Sequence, residues 1–233
     1  MADQNILKEG VSLYNHGNYT ASLTYFLSLP EDCGADPMEM AYYLGLCYFK
    51  LGRFDDALLY LEQVVTSGED ENVSSLRARV LQCRYVLAII YCESGRKKLA
   101  DFELQKLLEE GYKPAAVYAS LAFLSWESGD LEKCITYYEK SLSEDASNPT
   151  ALNGLGYVLA AEGRDLTTAL SYCKKAVDAA PESAACLDSL GWVYYKMGLY
   201  TESKKLLQRA RRKAPANGVI AEHLKAVEEA NSL

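Results

Sequence analysis

Six glycines constrain this chain most. Gly17, Gly52, Gly95, Gly129, Gly163 and Gly198 recur at intervals of 35, 43, 34, 34 and 35 residues. Each sits between two stretches whose apolar residues follow helical spacing. Before Gly198, Leu187, Leu190 and Tyr194 fall at i, i+3 and i+7; after it come Tyr200, Ser203, Leu207 and Ala210. Gly191 lies on the first stripe, where a missing side chain lets another helix approach. Pro215 ends the second stretch, because proline lacks the donor that a continuing helix needs. The unit is therefore helix, short turn, helix. One such hairpin cannot cover its own apolar face, so a near-constant period predicts a stack of them.

The same positions return in other copies. Around Gly52 they are Leu44, Gly45 and Tyr48, then Phe54, Ala57 and Leu61. Around Gly129 they are Tyr118, Leu121 and Ala122, then Leu131, Cys134 and Tyr138. Around Gly163 they are Leu152, Leu155 and Gly156, then Ala169, Cys173, Ala176 and Pro181. This pattern resembles the tetratricopeptide repeat family over nearly the whole chain. The resemblance implies an all-α fold: a right-handed α-solenoid, or superhelix, of antiparallel helix pairs that binds proteins or peptides.

The repeats span roughly 3–37, 38–71, 72–114, 115–148, 149–183 and 184–217, followed by a capping helix over 218–232. A single array over 1–233 is expected, since each repeat touches only its neighbours. The interval of 43 residues reflects an insertion at 67–75, containing the acidic run GEDEN. The uninterrupted sequence after it predicts an extended helix starting near Val73, capped by Asn72 or Ser74, in preference to an acidic binding loop. Arg77, Arg79 and Arg84 are expected partly on its solvated face. Gly163-Arg164-Asp165-Leu166 adds one residue to the fifth turn, so the following helix starts one position late. In the final helix, Ile220, Ala221, Leu224 and Val227 form one apolar face.

Charge and cysteine usage narrow the function. With 24 basic and 32 acidic residues the net charge is -8, which disfavours nucleic acid and anionic membranes as partners. The first eighteen residues contain no apolar run long enough for a signal peptide or a membrane span, so a cytoplasmic location is expected. Seven cysteines, an odd number without any CxxC, read as buried small hydrophobes in a reducing compartment, with Cys33 in a loop. No metal site and no cofactor are implied. The basic run from Lys204 to Lys213 reads as a solvated face at a helix C-terminus. His16 and His223 lie at opposite ends of the array, and no catalytic motif emerges, so no enzyme is expected.

If the first helix of each pair lines the concave side, the register places three rows there. One is Val11, Leu46, Ile89, Phe123, Tyr157 and Trp192; another is Tyr14, Phe49, Cys92, Trp126, Ala160 and Tyr195. The third is Leu7, Tyr42, Tyr85, Ala119, Asn153 and Asp188, with Tyr43 beside it. Aromatic side chains anchor interfaces at low rotamer cost. Candidate binding residues are Tyr42, Tyr43, Phe49, Tyr85, Phe123, Trp126, Tyr157, Trp192 and Tyr195. Some family members grip a C-terminal carboxylate with basic residues in adjacent first helices; here the matching positions hold Leu7, Val11, Tyr43, Gln82 and Val86, which disfavours that role. The expectation is a scaffold or adaptor for a partner peptide or helix with apolar or aromatic anchors. The alternative is a self-assembling structural protein or a regulatory subunit.

Overall fold

The computed structural model describes residues 6–30, 32–67 and 74–230. Among these, every regular element is a helix. Two compact units divide the chain, Met1–Tyr112 and Lys113–Leu233. In the first, α1 (Lys8–Asn15) pairs with α2 (Tyr19–Ser28), α3 (Pro37–Lys50) with α4 (Phe54–Ser67), and α5 (Ser74–Glu93) with α6 (Lys97–Glu109). In the second, α7 (Pro114–Glu127) pairs with α8 (Leu131–Glu144), α9 (Pro149–Ala161) with α10 (Leu166–Ala179), and α11 (Ala184–Lys196) with α12 (Tyr200–Lys213). A last helix, α13 (Gly218–Ala230), packs on α12 and α11. The architecture is an all-α helical repeat solenoid.

The turns explain the glycine period. All six aligned glycines have φ between 66° and 79°, the left-handed region that only glycine enters without strain. Each ends a first helix, and the second helix starts two residues later. The fifth turn is the exception: Asp165 follows with φ 34° and caps Thr168 N, so α10 begins three residues after Gly163. That extra residue is the delay read from the sequence. Proline opens α3, α7 and α9, where a missing N–H is harmless. Asp36, Asn148 and Ser183 accept backbone N–H groups at the starts of α3, α9 and α11.

In several pairs a glycine on the first helix meets a side chain of the second. Gly45 lies against Leu61, Gly156 against Cys173 and Gly191 against Leu207. On the second helices, Ser22, Ala57, Ala100, Cys134, Ala169 and Ser203 are all fully buried at the matching position. In two pairs this residue also bonds. Ser22 Oγ donates to Gly10 O at 2.8 Å, and Ser203 Oγ donates to Gly191 O at 2.7 Å. These bonds tie the two helices of each pair together.

The long helix expected after the insertion is present: α5 has 20 residues. The insertion at 67–75 lies largely outside the described residues, as does Asn72. The three arginines of α5 do not share one environment. Arg77 is exposed and pairs with Glu110, and Arg79 pairs with Glu39 of α3 at 2.8 Å. Arg84, in contrast, is only 8% exposed and donates to Glu103 of α6 at 2.8 Å. The spacing of charges along α5 did not show that Glu103 stands opposite Arg84 in the pair interface. Cys47, Cys83, Cys134, Cys173 and Cys186 are buried, and Cys33 and Cys92 are partly exposed.

Candidate functional site

The site combines three registers of α7, α9 and α11: Phe123 and Tyr157 from one row, Trp126 from a second, and Asn153 and Asp188 from the third. Residues one turn apart on successive first helices converge because each helix follows the previous one at the same phase. This brings Phe123, Trp126, Asn153, Tyr157 and Asp188 to the wall of a cavity of about 510 Å³ in the second unit. Asn217, Val219 and Ile220, at the start of α13, also line it. Phe123 is 44% exposed, and Trp126 and Tyr157 are half-buried. The indole of Trp126 meets the Tyr157 ring edge-on, with centroids 6.2 Å apart.

The floor comes from the second layer. A Cβ on Gly154 would stand 2.2 Å from Cζ of Tyr138 on α8. Glycine at that position therefore lets the tyrosine ring reach the cavity from behind the first helix. Burial pushes the Tyr138 hydroxyl up from its ordinary value. The Tyr157 hydroxyl is pushed up by burial and then by the Asp188 carboxylate.

One polar arrangement holds the wall in place. His223 of α13 donates from Nδ1 to Asp188, at 3.0 Å from each carboxylate oxygen. An ionised carboxylate only accepts, so this nitrogen carries the proton. The imidazole also stacks on Trp192, with centroids 4.0 Å apart, and Trp192 stacks on Tyr195 at 4.7 Å. Nearby, the amide oxygen of Asn153 is buried without a hydrogen-bond partner. Such an orphan acceptor costs on the order of 1–3 kcal/mol.

The sequence-selected residues thus separate. Phe123, Trp126 and Tyr157 line the cavity together. Trp192 and Tyr195 lie in the same unit, in the stack on His223. The other four belong to the first unit. Tyr42 is buried, donates its hydroxyl to Gln82 and packs edge-on against Tyr43. Tyr43 also stacks on Phe26, Phe49 lies against Phe54, and Tyr85 against Tyr112. Sequence reading missed His223, which it left as one residue of a terminal helix. Its spacing did carry a signal, because position 223 falls between Ile220 and Val227 on the packed side of α13.

A tetratricopeptide repeat family model matches residues 7–72 and 120–184, and a second tetratricopeptide repeat model matches 183–214. The chain belongs to the tetratricopeptide repeat family. Its third hairpin, α5–α6, falls between the matched segments, and the structure supplies it. No curated protein matches this tetratricopeptide repeat chain. Among solved structures, it is similar to a chain of the APC/C hetero-tetramer Cut9-Hcn1, with TM-score 0.74 and 13% identity, over 95% of this chain and 42% of that one. It is also similar to the MamA protein, with TM-score 0.53 and 19% identity, over 76% of this chain and 91% of that one. Both likenesses concern the fold. Tetratricopeptide repeats are, as a family, scaffolds for protein interaction and generally not enzymes. Among the described residues, no helix is long and apolar enough to cross a membrane.

Proposed function

We propose that this protein is an adaptor that takes a peptide or short helix of a partner protein into an aromatic hollow. The observation that carries the reading is the cavity of the second unit, where Phe123, Trp126 and Tyr157 from successive first helices share one wall. Its volume lies within the range of about 300–1,000 Å³ usual for ligand sites. Seven free thiols favour a reducing compartment, in keeping with a cytoplasmic location.

The test uses peptides selected by display against the whole protein. Trp126→Ala should weaken the selected peptides by tens of fold, because covering one aromatic side chain contributes about 2–3 kcal/mol. Circular dichroism and the melting temperature would show that the fold persists. Peptides that bind the variant as tightly as the parent protein would remove the hollow as the binding site.

A second reading, self-association, rests on a different observation. Leu59 and Phe102, each seven residues after its turn glycine, are 67% and 53% exposed on α4 and α6. Sedimentation over a concentration series decides it, and a constant monomer rules it out.

A further inference from the structure

We propose that the cavity of the second unit receives a tyrosine side chain of the bound segment, whose phenol meets the Tyr138 hydroxyl. This rests on the peptide-binding reading above and names the anchor that the cavity selects. Tyr138 lines the cavity from α8 and is only 5% exposed. Its tip lies at Gly154, another lining residue: a Cβ there would stand 2.3 Å from the hydroxyl oxygen. Among the described residues that hydroxyl has no hydrogen-bond partner. It is not sealed off either, since Asn153 Oδ1 is the one enclosed side-chain oxygen or nitrogen without a partner. Burial keeps the hydroxyl protonated, so the cavity holds an unused donor.

That donor shares the cavity with the rings of Phe123, Trp126 and Tyr157. A tyrosine anchor matches both features, because it has an apolar ring and a polar tip. Its ring can make the edge-on contact that Trp126 and Tyr157 already make with each other, while its phenol oxygen accepts from Tyr138. A phenylalanine anchor would strip water from the Tyr138 hydroxyl and return no hydrogen bond, which is unfavourable. A leucine anchor would lose the ring contacts as well. A carboxylate would face Glu127 and Asp188, the two charged lining residues, both acidic. A cation finds neither of them open, since Asp188 is engaged by His223 and Glu127 has a partner of its own.

The experiment titrates the full chain with four peptide libraries of equal length, blocked at both ends. They are degenerate except for one fixed central residue: tyrosine, phenylalanine, glutamine or leucine. Binding is read by fluorescence anisotropy, with Trp126→Ala as the control for the site. The tyrosine library should bind the parent protein about tenfold more tightly than the phenylalanine library, the difference expected when a buried donor is paired in one complex and stranded in the other. Tyr138→Phe removes only the hydroxyl, so its melting temperature should stay near that of the parent protein. In that variant the preference for tyrosine over phenylalanine should fall to about parity. Equal binding of these two libraries to the parent protein overturns the inference without recourse to any variant. A preference that survives Tyr138→Phe overturns the pairing of the two hydroxyls. Glutamine binding as tightly as tyrosine overturns the phenol assignment. Trp126-dependent binding led by phenylalanine or leucine overturns the tyrosine anchor and leaves the hollow as a peptide site. Absence of any Trp126-dependent binding overturns both.

Discussion

His223 Nδ1 stands 3.0 Å from both carboxylate oxygens of Asp188, and each side chain is only 9% exposed. This pair joins α13 to α11 at the edge of the cavity. Removing one member leaves the other buried without its partner, which costs far more than the intact pair contributes. His223→Ala should therefore lower the unfolding free energy by about 3–5 kcal/mol. Urea denaturation followed by far-ultraviolet circular dichroism measures it. A midpoint within error of the parent protein would show that the pair does not hold α13.

The Arg84–Glu103 pair makes the opposite kind of prediction. Both side chains are nearly enclosed, at 10% and 11% exposed. Arg84→Met alone strands a buried carboxylate, and a loss of about 3 kcal/mol is expected. The double variant Arg84→Met with Glu103→Leu should recover most of that loss, because apolar side chains of similar volume need no desolvation. Thermal and urea melts of the three variants give the comparison. A double variant less stable than the single one would refute this account.

Glycine at 191 is required by space, and glycine at 218 is not. A Cβ at 191 would lie 2.8 Å from Cγ of Leu207, whereas one at 218 has nothing within 4 Å. Gly191→Ala should destabilise by about 1–3 kcal/mol through overpacking. Gly218→Ala, at the open start of α13, should be neutral or slightly stabilising, since alanine is the better helix former by up to about 1 kcal/mol. Equal melting temperatures for the two variants would contradict the packing described for α11 and α12.

Thiol chemistry reports burial and links stability to alkaline pH. Burial pushes Cys83 and Cys173 up to about 12 and Cys134 up to about 11. In the unfolded chain these thiols ionise near their ordinary value, so the folded form holds more protons above that point. Stability should be fully present below the ordinary thiol range and decline as pH rises from there towards about 12. Maleimide labelling under native conditions should reach Cys33 and Cys92 first, and the five buried thiols only after denaturant is added. Rapid native labelling of Cys173 would show that α10 opens readily.

The hairpin period was legible because turn geometry admits so few residues. Six positive-φ positions required glycine, and their spacing passed directly into the helix boundaries. The delayed start of α10 was legible for the same reason, through Asp165. Phe123, Trp126 and Tyr157 could be placed on one side from helical phase alone. The roles of Arg84 and His223 could not. Each is held by a partner distant in sequence, Glu103 at 19 residues from Arg84 and Asp188 at 35 from His223, and phase does not reveal what stands opposite. Nor could phase separate Trp192 from Trp126: they occupy neighbouring rows of the same face, but the imidazole of α13 covers only the former.

Tyr138 belongs to α8, yet its ring forms part of the cavity floor through the gap left at Gly154. The depth of the hollow is therefore set by a helix that does not line it along its length. Specificity could drift in such a molecule by trimming or enlarging one residue on the rear helix, with every front-facing contact unchanged. Two layers that look like support and recognition surface are, at this point, a single mould.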